Sequence, residues 1–255
     1  MAATVKTAEE IELMRESSRI VAEVIKLVGT QIAPGVATQQ LDRMAEEYIR
    51  SCGGVPAFKG YGFEADNLFP ATLCISVDSE VVHGIPGKRV LRDGEIVSID
   101  VGVKKNGFYG DGAFTFPVGA VSPDKRRLMT VTKESLDRGV AQAVEGNRIG
   151  DIAFAVQSHV EAAGFSVVRD LVGHAIGREL HEDPQVPNYG RPQKGTVLKE
   201  GMTLAIEPMV NMGTHRVRTA SDRWTILTED GMPSAHYEYT VVVRKGAAEI
   251  LTQYQ

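Results

Sequence analysis

Apolar side chains recur at helical intervals near the start of the chain: Ile11, Met14, Ile20, Val21, Val24 and Val28 share one face of a stretch from Thr7 to Val28. Thr7 followed three residues later by Glu10 is a capping box, in which the side chain of each residue satisfies the other's backbone N–H, so the helix begins there. Pro34-Gly35 interrupts the pattern. A second helix is expected from about Thr38 to Ser51, burying Leu41, Met44 and Ile49. From Cys52 to Pro70 the periodicity gives way to glycines and aromatics (GGVPAFKGYGFEADNLFP), the composition of an irregular, functional loop. Short β-rich runs follow.

The second half repeats this plan. Ser122-Pro123-Asp124 starts a helix that is expected to reach about Val144; Gly146 and Gly150 interrupt, and a further helix runs from about Asp151 to Ala163 before Gly164. SVVRDLVGHAIG, MTLAIEPMV and HYEYTVVVRKG then have strand character. LRDGEIVSIDVGV at Leu91–Val103 has a counterpart, LKEGMTLAIEPMV at Leu198–Val210, 107 residues on, and the turn glycines Gly35 and Gly146 are 111 apart. Two similar α/β halves, about 7–118 and 122–250, are therefore expected within a single domain covering 1–255.

Each copy ends its apolar run in Ile followed by a carboxylate. Asn106-Gly107 favours a two-residue hairpin turn. Centring the turn there pairs residue 100 with 113 and 102 with 111, which puts Asp100 and Asp111 on one face. The second half supplies Glu207 and Glu238. Four carboxylates meeting where the halves join repel unless protons or cations lie between them, and bridging carboxylates hold paired divalent ions roughly 3.5 to 4 Å apart. His174 and His181, seven residues apart, add imidazole, which suits Mn, Fe, Co or Zn better than an all-oxygen magnesium site. His83 has a similar glycine-flanked setting, and His236 shares a strand face with Glu238. His159 and His215 read as surface residues.

Composition narrows the class. With 28 Lys+Arg against 33 Asp+Glu, the net charge of −5 argues against nucleic acid as main partner, leaving only a local patch at Lys125, Arg126 and Arg127. Two cysteines make no disulfide framework, no secretory leader opens the chain and no apolar run is long enough for a membrane span. A cytoplasmic, soluble protein is expected.

CISVDSEVVHGIP, IVSIDVGV, GFYGDGAFTF, GHAIGRELHEDPQVPNYG, GMTLAIEPMV and DRWTILTEDGMPSAHYEYTVVV, in that order, resemble the methionine aminopeptidases of the pita-bread fold from about Thr7 to Ile250. Only 25 residues separate His181 from Glu207, so the chain looks like a short type I form without the helical insertion of type II. The resemblance implies an α+β pita-bread fold, two pseudo-symmetric α/β halves around a central antiparallel sheet. It also implies two divalent metal ions (Co, Mn, Fe or Zn) held by Asp100, Asp111, His174, Glu207 and Glu238, with Asp111 and Glu238 bridging. His83 and His181 would contact substrate, Glu207 would act as general base, and a metal-bridging hydroxide would attack.

The implied reaction is removal of the N-terminal methionine from peptides and nascent chains with a small second residue. Tyr61, Phe69, Cys74 and Trp224 are the candidates for the methionine pocket, because a thioether packs well against ring edges. A monomer with a further contact to the ribosome and none to a membrane is expected, and Met1-Ala2-Ala3 is itself a start that such an enzyme would process. The chain departs from the family at Ala175, where a glycine is usual, and at Val82, where bacterial relatives often carry cysteine. Between Tyr61 and Pro70 it carries several extra residues. Rival readings are a proline-specific peptidase on the same fold, a non-catalytic binding protein, and a dimetal phosphoesterase, which would need Arg or Lys beside the metals.

Overall fold

The structure, a computed structural model, describes residues 4–62 and 64–253; Met1-Ala2-Ala3, and with them the self-processing expectation, lie outside the described residues. The capping box forms as read. The Glu10 N–H donates to Thr7 Oγ1 at 3.2 Å and the Thr7 N–H to Glu10 Oε2 at 2.9 Å, and helix α1 runs Ala8–Gly29. Helix α2 is Thr38–Ser51. Its buried stripe is Leu41, Ala45 and Ile49, spaced by four, while Met44 lies beside the stripe and is half-buried.

Strands β1 (Val55–Pro56), β2 (Leu73–Val77) and β3 (Glu80–Val82) lead to the long hairpin of β4 (Ile96–Lys105) and β5 (Phe108–Pro117). Asn106 and Gly107 have φ of 51° and 83°, the paired left-handed conformation of a type I′ turn. The ladder accordingly sets Asp100 opposite Ala113 and Gly102 opposite Asp111, the expected register.

Helix α3 (Pro123–Val140), capped by Ser122, stops short of Val144, because Val144 and Glu145 instead bridge to Arg244. Helix α4 (Ile149–Ala162) starts earlier than expected: Asp151 lies in its first turn and accepts the Arg148 N–H at 2.8 Å. Gly146, at φ 92°, does break the chain, but Gly150 is helical. A Cβ there would meet the Lys194 carbonyl oxygen at 2.7 Å and the Arg191 carbonyl closer still, so glycine is needed for the 191–194 loop to lie on the helix.

The remaining strands are β6 (Ser166–Val167), β7 (Gly173–Ala175), β8 (Glu182–Val186), β9 (Thr203–Ile206), β10 (Met209–Asn211), β11 (Val217–Thr219), β12 (Ile226–Thr228), β13 (Ser234–His236), β14 (Glu238–Val242) and β15 (Glu249–Ile250). Three runs expected as single strands are thus each divided. β6, β10 and β13 form one small sheet, whereas β7, β9 and β14 join the main one. The break in MTLAIEPMV falls at Glu207-Pro208, where proline has no N–H for a ladder.

The main sheet has nine strands, in the order β1-β4-β5-β14-β9-β7-β8 with β2 added to β4 and β15 to β14, and its pairings are antiparallel. A third sheet is β11-β12-β3. One core packs Val24, Leu41 and Ile49 against Val97, Ile99 and Val101; another packs Leu128, Val156 and Val160 against Leu204, Ile206 and Val241. Both use the helix-facing side of the sheet. Lys125, from the basic patch, binds Asp78 at 2.6 Å, and Arg127 lies over the Phe165 ring. Among the described residues no helix is long and apolar enough to cross a membrane.

Replacing Gly150 by Ala should reverse the usual gain of helix propensity. We expect a loss of about 2 kcal/mol from overpacking, read as a fall in Tm of roughly 4–8 °C; an unchanged or raised Tm would refute the close approach.

Candidate metal centre

Alternation along β4 sends Ile99 into the helix-side core and Asp100 to the opposite face. On that face Cys74, Asp100, Ala113 and Glu238 form one row across β2, β4, β5 and β14. The next row begins with Gly102 and Asp111. There the Asp111 N–H donates to Thr240 Oγ1 at 3.1 Å and the Thr240 hydroxyl donates back to the Asp111 carbonyl at 2.8 Å. Thr240 stands opposite Ala205, and Ala205 opposite His174. Glu207 follows Ile206, the partner of Tyr239, so it emerges beside Glu238 just where β9 ends. The Asn188 side chain holds its carbonyl at 3.0 Å.

All five expected ligand residues therefore meet. Asp111, His174 and Glu238 each offer a ligand atom within 4.8 Å of one another. His174 Nε2 lies 3.5 Å from Glu207 Oε1. The other ring nitrogen, Nδ1, is 3.1 Å from the Ala175 carbonyl and, as its donor, leaves Nε2 with a lone pair aimed at the cluster. The methyl of Ala175 is buried in the helix-side core, away from the carboxylates.

His83 sits at φ 59°, a conformation sparsely populated outside glycine, and the next residue, Gly84, packs on the Ile75 carbonyl so closely that a Cβ has no room. His181 packs its ring edge-on against His174 at 4.3 Å and is 2.7 Å from the Tyr61 hydroxyl. These residues line a cavity of about 120 Å³ together with Phe69, Cys74 and Trp224. Phe69 and Trp224 meet edge-on at 5.3 Å. Phe58 and Leu180 complete the wall; the first was hidden in the glycine-rich loop and the second is signalled only by its place next to His181.

The electrostatics are those of an overfilled site. Burial, then the neighbouring carboxylates Asp100 and Glu207, raise Asp111 well above the usual range; burial, then Asp111, Glu207 and Asp100, do the same to Glu238. Burial pushes Asp100 up to about 7, with His236 opposing and Glu207 adding, and pushes Glu207 to about 8. Burial and then His181 lower His174 to about 3, and burial followed by His236 and His181 lowers His83 to about 4. His181 is exposed as a residue, yet its inner side is enclosed by Tyr61 and His174, and that desolvation holds it below the ordinary imidazole value. The imidazoles are therefore neutral, as ligands must be.

Residues 12–245 match the model of metallopeptidase family M24. The chain is 50% identical to methionine aminopeptidase 1 of Bacillus subtilis over 248 residues, 97% of this chain and 98% of that one. The chain belongs to metallopeptidase family M24. It is also 52% identical to a methionine aminopeptidase of Clostridium perfringens over 248 residues, 97% of each chain. The crystal structure of a methionine aminopeptidase from Thermotoga maritima superposes with a TM-score of 0.96 at 44% identity, covering 99% of this chain and 100% of that one. A prolidase from Pyrococcus furiosus, 23% identical, shares the fold at a TM-score of 0.78, over 98% of this chain and 66% of its own. The fold is the α+β pita-bread fold.

As an M24 metallopeptidase the chain binds divalent metal, and the donor set fits that requirement. Asp100 Oδ1 and Glu238 Oε1 are buried with no hydrogen-bond partner among the described residues, which a cation would satisfy. One residue was underweighted on the sequence. His236 is buried, 3.7 Å from Glu207 Oε2, with neither ring nitrogen hydrogen-bonded among the described residues; its alternation with Glu238 was the available signal.

A carboxyl whose pKa is raised by folding binds more protons folded than unfolded, so its contribution falls as pH climbs from about 4 towards 8; the lowered imidazoles oppose this up to about 6.5, above which the carboxyls alone make the metal-free protein lose stability. Chelated protein should therefore melt lower at pH 8 than at pH 6, and zinc or manganese should raise Tm more at pH 8. A Tm that stays flat or rises with pH in the chelated protein would contradict this electrostatic picture.

Proposed function

We propose that the chain removes the N-terminal methionine from peptides and nascent chains whose second residue is small. It does so as a type I methionine aminopeptidase and as one catalytic domain, 1–255, of two similar halves (about 7–118 and 122–250). The observation that carries this reading is a buried carboxylate cluster with one neutral imidazole at the floor of a small aromatic-walled cavity. It is joined to roughly half identity with bacterial methionine aminopeptidases along nearly the whole chain.

In this reading Asp100, Asp111, His174, Glu207 and Glu238 would hold two divalent ions; Mn, Fe, Co and Zn all suit the donors. Bound there, the ions supply a Lewis acid for the scissile carbonyl and lower the pKa of the attacking water. Glu207 takes the proton of that water and delivers it to the departing amine. His181 donates a hydrogen bond to the carbonyl oxygen as it gains charge, and His83 assists at the substrate amide. The methionine side chain rests on Tyr61, Phe69, Cys74 and Trp224, whose ring edges and thiol suit a polarizable thioether. The enzyme works as a cytoplasmic monomer on chains emerging from the ribosome, with a contact there and none to a membrane.

Chelated protein given Met-Ala-Ser while Mn, Co, Fe or Zn is titrated back should release free methionine, and Asp111→Ala should abolish the release. Glu207→Gln should lower kcat by roughly 10²–10⁴, the usual worth of a general base. No methionine at any metal, from folded protein, would sink the reading; cleavage of Xaa-Pro substrates instead would favour the prolidase branch of the fold.

A further inference from the structure

The Tyr61 hydroxyl lies 2.7 Å from His181 Nδ1, with the two rings edge-on and their centroids 5.3 Å apart. A pocket wall needs only the ring, so the hydroxyl calls for its own account. We propose that Tyr61 is a positioning residue: its O–H donates to His181 Nδ1, which keeps the imidazole proton on Nε2 and presents an N–H, not a lone pair, to the scissile carbonyl. This deepens the aminopeptidase reading and rests on it for the substrate.

The chemistry of the pair favours this direction of donation. A neutral imidazole has one donor and one acceptor nitrogen, and the partner of one decides the state of the other. Of the two groups the phenol is the stronger acid and the imidazole nitrogen the stronger base, so O–H to N is the preferred arrangement. Burial followed by the nearby Tyr109 raises the phenol's pKa, which keeps it a donor. The opposite tautomer would aim a lone pair at an oxygen that becomes an anion, a repulsion in the transition state.

Tyr61 is itself held from both sides. Its N–H donates to the Phe58 carbonyl at 2.8 Å, and its carbonyl accepts from the Phe69 N–H at 2.8 Å. Within the longer segment between Tyr61 and Pro70, Glu64 and Asp66 pair with Arg223, the neighbour of the Trp224 that packs on Phe69. These ion pairs link the Tyr61 turn to the segment that carries Trp224. His181 is fixed on its other side by the edge-on His174 ring.

The test is Tyr61→Phe, which keeps the ring and its packing. Imidazole ¹⁵N NMR of zinc-loaded, histidine-labelled protein, with the His181 signal assigned through His181→Asn, reads the tautomer directly. Wild type should carry the proton on Nε2, with Nδ1 bare and hydrogen-bonded; the variant should show a mixture of tautomers. On Met-Ala-Ser, kcat should fall about tenfold, as for one lost hydrogen bond, with KM within twofold. A proton on Nδ1 in wild type, an unchanged tautomer in the variant, a kcat within twofold of wild type, or a loss confined to KM would each overturn the proposal. Failure of the aminopeptidase reading looks different: wild type releases no methionine with any metal, while the NMR still decides whether Tyr61 sets the ring.

Discussion

Ionised carboxylates repel one another, and burial raises the energy of each, so Asp100, Asp111, Glu207 and Glu238 on one enclosed face hold together only around positive charge. The protein supplies little of that charge itself: the imidazoles nearby are driven neutral, and among the described residues no lysine or arginine lines the cavity. A cluster so placed is a site for cations, and the sheet keeps it rigid enough that the ligands do not relax apart without them. The same lining disfavours a phosphoesterase, whose substrate would need a cationic clamp beside the carboxylates.

Bringing the five proposed ligands to one point from β4, β5, β7, β14 and the end of β9 requires that the strands approach closely where side chains would otherwise intervene. Gly173 does this for His174: a Cβ there would run into the Ala205 carbonyl and meet the Val186 carbonyl oxygen at 3.1 Å, so β7 can lie between β9 and β8 only with glycine at that position. Gly84 plays the corresponding part next to His83, since a Cβ there would run into the Ile75 carbonyl. Small residues next to chemistry-bearing ones therefore mark packing limits, and the chemistry inherits its precision from them.

Much of this was legible in the sequence where one local rule decides the outcome. The Asn106-Gly107 turn fixed the β4–β5 register to the residue, and with it the shared face of Asp100 and Asp111; the Thr7–Glu10 box located the start of α1. The rule failed where long-range contacts outweigh local signals. Gly150 reads as a breaker, but the 191–194 loop demands it inside a helix. SVVRDLVGHAIG reads as one strand because its apolar residues flank a single charged pair, yet Arg169-Asp170 lies exposed where the chain leaves the sheet of β6 for that of β7. Phe58 reaches the cavity through a loop whose path no periodicity describes, and the alternation that sets His236 on the face of Glu238 does not reveal its approach to Glu207, 29 residues away.

The two copies of the Ile-carboxylate motif end up in unequal surroundings, and the inequality has a mechanical consequence. Asp100 is the fifth residue of a ten-residue strand paired on both sides, by Cys74 and Ala113, so its backbone cannot shift without breaking two ladders. Glu207 follows the last residue of β9 and precedes Pro208, so the ladder releases it, and its side chain is one methylene longer. Glu207 lies within 3.5 Å of His174 and 3.7 Å of His236, which suits the general-base role proposed for it, whereas Asp100 is held by its ladders on both sides. Pro208 thus sets the two copies of the motif apart: the first carboxylate stays within its strand and the second lies just beyond one.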